Sequence, residues 1–217
     1  MKILMAVSGA LFVFYVLLHM YGNLKIFGGV AAFDEYALHL RTLLTPILPF
    51  GGFLWLFRAL LVVALVAHAY AAFWLWSRAS GARTTRYVAK QAARATVRSR
   101  MMRWGGVALL LFLVWHLLQF TIVKFNVGSL PAEGSPGLLV ISSFQVWWVV
   151  LIYLLALVAL GLHLYHGVWS ATQTLGWAGN AAARRRAKTL GTVIALVTSV
   201  GFALPPLAIL FGLVKGS

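Results

Sequence analysis

The sequence predicts an all-α integral membrane protein with five transmembrane helices, the first four forming a bundle around its chemistry. Three observations predict it. Of 217 residues, 62% are hydrophobic and only 10% are charged, with a mean hydropathy of +0.92. A water-soluble domain carries about 45–50% apolar and about 25% charged residues, so these charges are too few to cover a globular surface. Charge-free runs recur at the length of roughly 20 residues that a helix needs to cross a hydrocarbon core about 30 Å thick. Finally, the basic residues gather in a few segments between those runs.

The first run, Ile3 to Leu24, lies between Lys2 and Lys25 and gives a span at 3–24. It is longer than the apolar region of a signal peptide and no small-residue cleavage site follows, so it reads as a retained helix. The second span, 50–78, joins an apolar lead-in from Phe50 to the run between Arg58 and Arg78. The third, 103–124, lies between Arg103 and Lys124. The charge-free stretch from Gly134 to Ala183 is too long for one helix. Its dense core, Val146 to Trp169, predicts a fourth span at 143–170 with loop on both sides. The fifth, 189–213, lies between Lys188 and Lys215, and Pro205-Pro206 should kink it or start its final segment. The chain 1–217 then reads as one transmembrane domain with no soluble domain left over. Between the first two spans, Phe33, Tyr36, Ala37, Leu40, Leu43 and Leu44 follow a 3–4 spacing. That predicts a short amphipathic helix on the outer interface.

Formal net charge is +15, from 18 Lys and Arg against 3 acids. In a membrane protein this reports topology, because basic residues are retained on the cytoplasmic side; it does not point to nucleic acid. With the N-terminus inside, the inner segments hold 13 of the 18 basic residues, and Asp34, Glu35 and Glu133 all fall outside. The expected location is the inner (cytoplasmic) membrane, multi-pass, with a cytoplasmic N-terminus. Eight basic residues from Arg78 to Arg103 and four from Arg184 to Lys188 face inward. They suit anionic lipid and are expected also to meet a soluble partner, Arg94 and Arg98 among them.

The absence of Cys excludes thiolate-held iron–sulfur clusters, Cys-zinc sites, disulfides and covalent c-type haem. Histidine remains. His19, His68, His116 and His163 sit one per span in the first four spans, where an ionisable residue is costly and usually functional. A hydrogen bond between helices would explain one such residue readily and four less well. Haem b suits them better than zinc or copper, since its iron needs only two axial ligands from facing helices. Gly9, Ala67, Ala69, Gly106 and Gly161 are small enough to admit a flat macrocycle, although small residues also serve ordinary helix packing.

These residues resemble a family. HMYGN at 19–23, WH at 115–116 and LHLYHGVWS at 162–170 are similar to the cytochrome b membrane subunit of succinate:quinone oxidoreductases, in its single-chain, five-helix, di-haem form. The resemblance covers nearly the whole chain, and LHLYHGVWS is its most specific part. It implies two non-covalent b haems ligated by His19, His68, His116 and His163, with His166 at a non-ligand position. It also implies a cytoplasmic flavoprotein carrying FAD, an iron–sulfur subunit, and membrane quinone, expected to be menaquinone, as partners in a respiratory chain. A higher oligomer of that complex is left open. The third helix of such subunits often opens with Arg, a small hydroxyl residue and Gly. Here Arg103-Trp104-Gly105-Gly106 keeps the Arg but places Gly105 where the hydroxyl would be. Arg103 and Arg58 are the candidate cofactor-binding cations, Arg58 for a haem propionate unless it snorkels outward. For quinone, Asp34, Glu35, His39 and Arg58 are outer candidates, and Arg103, His166 and Trp169 inner ones; the outer side is preferred. Two other readings stand beside this one: the haem b subunit of a hydrogenase or formate dehydrogenase, and a haem-free anchor or transporter.

Depth predicts the pairing. At about 1.5 Å per residue, His19 lies about 25 Å and His116 about 20 Å from their inner ends. His68 and His163 lie about 27 Å and about 30 Å from their outer ends. Only residues at one depth can grip one iron, so His19 should pair with His116 and His68 with His163.

Overall fold

The computed structural model describes residues 1–81, 90–128 and 134–216, and side chains outside 80–99. Among the described residues it is 83% helical with no strand. Seven α-helices follow in order: α1 (Lys2–Leu24), α2 (Val30–Thr42), α3 (Gly52–Gly81), α4 (Lys90–Leu117), α5 (Pro136–Phe144), α6 (Trp147–Thr174) and α7 (Ala181–Leu210). Five segments are long and apolar enough to cross a membrane: Lys2–Gly28, Gly52–Ala79, Arg100–Ile122, Trp147–Thr174 and Ala181–Leu210. The protein is therefore a multi-pass membrane protein. Its lipid-facing character shows in α3, whose most apolar window is only 6% buried by protein. Val62, Val63 and Val66 point outward there, as do Leu111 and Val114 on α4. Apolar side chains on helices that satisfy their own backbone are what hydrocarbon solvates.

The helices α1 and α6 pack together at the centre, α3 lies on α1 and α4 lies on α6. Helix α7 covers α6 and α1. Small residues permit these approaches. A Cβ on Gly161 would fall 2.7 Å from Ser199 Oγ, and one on Gly201 would overlap Met20. Gly161, expected beside a macrocycle, is thus a contact between α6 and α7. The bundle is also not limited to the first four spans, because α7 walls one of the histidine levels described below. Among the described residues, α3 and α4 meet where the Trp76 and Trp104 rings stand 5.9 Å apart.

Three helix starts differ from the sequence expectation for physical reasons; α4 begins at Lys90 and not at residue 103, its apolar span starting only at Arg100. Helix α7 begins at Ala181 and not near residue 189, because Asn180 caps it by accepting from the Ala183 N–H at 2.8 Å. Charges at Arg184–Lys188 end the hydrocarbon-embedded part of a helix without ending the helix. The same helix runs on through Pro205 and Pro206, both buried, and no separate segment starts there. Helix α6 begins at Trp147, and the loop expected before it contains α5. Ser135 caps α5 by accepting from the Leu138 N–H at 3.0 Å, and Pro136 occupies its first position, where its missing N–H costs nothing.

Helix α5 is buried from Leu139 to Phe144. With Ile26, Val149, Val150, Tyr153 and Ile209 it forms an apolar core at the end of the bundle away from Met1. Helix α2, matching the amphipathic helix expected from the sequence, is tied to α5 by Asp34. That carboxylate accepts from Ser135 Oγ at 2.5 Å and from the Gly137 N–H at 2.7 Å. The connection carrying Arg83 and Arg86, and Glu133, lie outside the described residues, as do the side chains of Lys90, Arg94 and Arg98.

Candidate functional site

The four intramembrane histidines stand in two pairs at two levels. At the level nearer α5, the rings of His19 on α1 and His116 on α4 have centroids 5.8 Å apart. At the other level, His68 on α3 and His163 on α6 are 6.1 Å apart. Ser8 and Gly9 on α1 touch His68, and Gly106 on α4 faces His163. Counting along α1 from Gly9 to His19, or along α4 from Gly106 to His116, separates the levels by about 15 Å at 1.5 Å per residue. The side chains therefore meet in the combinations expected from depth, and all four rings are half-buried.

Hydrogen bonds fix the tautomer of two rings. Ser8 Oγ donates its one proton to the Leu4 carbonyl at 2.7 Å, so at 3.1 Å from His68 Nδ1 it must accept. Tyr153 OH likewise donates to Gln119 Oε1 at 2.9 Å, so at 3.2 Å it accepts from His116 Nδ1–H. Both rings thus carry their proton on Nδ1 and leave the Nε2 lone pair free, the form in which imidazole binds a metal. His163 Nδ1 is buried without a partner. His19 lies parallel to Tyr15 one turn earlier, centroids 5.3 Å apart and planes 13° apart, and contacts Phe202 of α7 at 5.6 Å.

With metal–imidazole bonds of about 2.0 Å, two axial imidazoles facing across one metal have ring centres about 6.2 Å apart. The observed 5.8 and 6.1 Å come close to that spacing. The surroundings are apolar and aromatic, with Phe12 at the first level from Met1 and Phe57, Phe112 and Phe120 at the second. Among the described residues no group of three or more His, Cys, Asp or Glu gathers as a zinc-type cluster would. The donor set is two nitrogens per level, which fits b-type haem.

The remaining predicted residues divide. Arg103 is half-buried at the start of the α4 span, its guanidinium 5.4 Å from the Trp76 ring centre, one turn before Gly106. Arg58 is exposed and lies 5.1 Å over Trp55, which favours outward placement over an inward partner. Asp34 is no solvated loop end; it is the clamp on α5 described above. Glu35 and His39 are exposed on α2. Trp169 is covered by Lys188 Nζ at 5.1 Å, and the His166 ring packs at 5.0 Å from Tyr165. Ala67 and Ala69 flank His68 in sequence and are half-buried. Tyr36 seats its ring where a Cβ on Gly22 would stand 2.8 Å away, and burial pushes its phenol above the ordinary value. Ser8, Tyr15, Tyr153 and Gln119 were not singled out from the sequence. Gln119, wholly buried, carried a signal, being an amide in the middle of an apolar run.

No family model, curated protein or solved structure matches the chain.

Proposed function

We propose that the chain is the membrane anchor and electron-transfer subunit of a succinate:quinone oxidoreductase, passing electrons between a cytoplasmic iron–sulfur subunit and membrane quinone through two b haems. The observation that carries this reading is the pairing of His19 with His116 and His68 with His163 at a spacing close to that of bis-axial ligands. When bound, b haem supplies a one-electron iron(III)/iron(II) couple.

The chain's own residues do the rest. His19 and His116 would hold one group, His68 and His163 the other. Ser8 and Tyr153 orient two of the four rings through Nδ1–H. Gly9 and Gly106 leave room beside His68 and His163: a Cβ at either would lie 3.4 or 3.6 Å from the nearest ring carbon. Arg103, on the same face of α4 as Gly106, would supply a cation for an acidic substituent at that level. Aromatic and aliphatic side chains keep water from both levels, which lowers the local dielectric.

Charge supports the orientation. Lys2, Arg78, Arg100, Arg103 and Arg184 to Lys188 gather at the end nearer the His68 and His163 level, so that end is read as cytoplasmic in the cell's inner membrane. A flavoprotein with FAD and an iron–sulfur subunit would dock there. Quinone, expected to be menaquinone, would react at the opposite end, where Glu35 and His39 are exposed and able to exchange protons.

A reduced-minus-oxidised visible spectrum of the purified protein tests the reading, with the haem released into pyridine for quantitation. Two b haems per chain are expected. No haem would remove it in favour of a haem-free anchor or transporter. A hydrogenase or formate dehydrogenase copurifying with a haem-bearing chain would reassign the partner and keep the sites.

A further inference from the structure

The two histidine levels are wired differently. His68 meets a serine hydroxyl, while His116 heads a chain that crosses from α4 to α6 and back: His116 Nδ1–H to Tyr153 OH, then Tyr153 OH to Gln119 Oε1. We propose that Tyr153, held by Gln119, is the positioning residue that strengthens His116 as an electron donor and lowers the potential of that haem level alone. This rests on the haem reading above.

Three observations carry it. Gln119 has no exposed surface; its Oε1 accepts from Tyr153 while its Nε2 has no partner, and a polar group so buried within a membrane span is costly and marks a functional site. It sits in a five-residue π-helical turn, Leu118–Ile122, that begins two residues after His116. Such wide turns gather at functional sites. Finally, Tyr153 OH has one proton and gives it to Gln119, so the phenol oxygen is left to accept from the imidazole. An acceptor at Nδ1–H moves negative charge onto the ring, makes Nε2 a better donor and favours the ferric state. The simpler account is that Tyr153 and Gln119 only join α4 to α6. That account leaves the redox centre indifferent to the hydroxyl.

Tyr153→Phe removes the hydroxyl and keeps the ring that packs against Phe112 and Phe144, each at 4.9 Å. Redox titration of the haem-bearing protein, followed in the visible, should find both haems retained. One midpoint should rise by about tenfold in the ferrous-to-ferric ratio, roughly 59 mV for one electron. The centre that moves should be the one that His116→Ala removes. Ser8→Ala should leave that centre unmoved. Gln119→Leu, which leaves Tyr153 without its acceptor, should raise the same midpoint by less than Y153F; it carries the test if Y153F fails to hold haem. Two bound haems with unmoved, lowered or equally shifted midpoints overturn the assignment of Tyr153 alone. A wild-type protein without haem overturns both this inference and the reading on which it rests.

Discussion

Single and double histidine variants test the arrangement most directly. Within each pair the ring centres lie 5.8 and 6.1 Å apart, near the roughly 6.2 Å spacing of bis-axial imidazoles. Across levels the separation is about 15 Å by helix rise, beyond the reach of one metal. The stoichiometry follows. His19→Ala and His116→Ala should each lower bound haem from two per chain to one, and their double variant should still bind one. The same holds for His68 and His163. A double variant drawn across levels, such as H68A with H116A, should bind none. Helix content by circular dichroism guards against unfolding, since truncating a large half-buried side chain costs about 2–4 kcal/mol. Haem released from equal protein masses gives the count, and low-temperature difference spectra show which centre is lost. The pairing is refuted if H68A and H116A delete the same spectral component. It is refuted equally if the H19A/H116A double variant, still helical, loses both haems.

The other expectations are structural or local. Asp34→Ala removes both hydrogen bonds from α2 to α5, and at about 1.5–3 kcal/mol for each bond to a charged group the half-exposed pair should cost about 2–3 kcal/mol in detergent-solubilised unfolding; an unchanged midpoint would show that the clamp is idle. A Cβ on Gly128 would overlap the Ser142 backbone carbonyl and one on Gly201 would overlap Met20 Sδ and Cγ, so Gly128→Ala and Gly201→Ala should each cost about 1–3 kcal/mol by the same measurement. Gly106→Leu should displace haem from the His163 level and leave the His19 and His116 level spectrally intact; retention of two haems would show that the space beside His163 is not used.

How far the sequence disclosed this arrangement depended on the range of the interaction. Spans are set by local hydropathy, so five charge-free runs located five helices, but α4 begins 13 residues and α7 eight residues before the start expected. Helix ends are set by caps, and charge is a poor guide to them: Asn180 starts α7 before its basic cluster, and Ser135-Pro136 starts α5 in a stretch that has no charges to mark it. The paired levels were legible because depth is a count of residues from a span's end. The partners of those rings were not. Asp34 meets Ser135 and Gly137, and His116 meets Tyr153, across loops whose closure no local pattern records. Ser8 looked like an ordinary small residue of a membrane helix until His68 was placed beside it.

The two ends of the bundle differ in a way that bears on where protons enter. Beyond the His19 and His116 level the buried run Leu139–Phe144 packs against α2, α6, α7 and residues 118–122, with Phe144 4.9 Å from Tyr153 and Phe120 5.5 Å from His116. Asp34 secures that plug from α2. Water approaching this level along the bundle axis would therefore have to open an apolar core containing Ile141, Val149 and Ile209. The outward faces of α2, with Glu35 and His39, remain exposed beside that core. A lipophilic quinone arriving sideways from the bilayer and exchanging protons at that rim is compatible with a dry interior; a channel through α5 is not. Loosening the clamp with Asp34→Ala should then increase solvent exchange of the Tyr153 hydroxyl and the α5 amides before it alters helix content. Amide exchange in α5 that stays as slow as in the parent protein would argue against the plug.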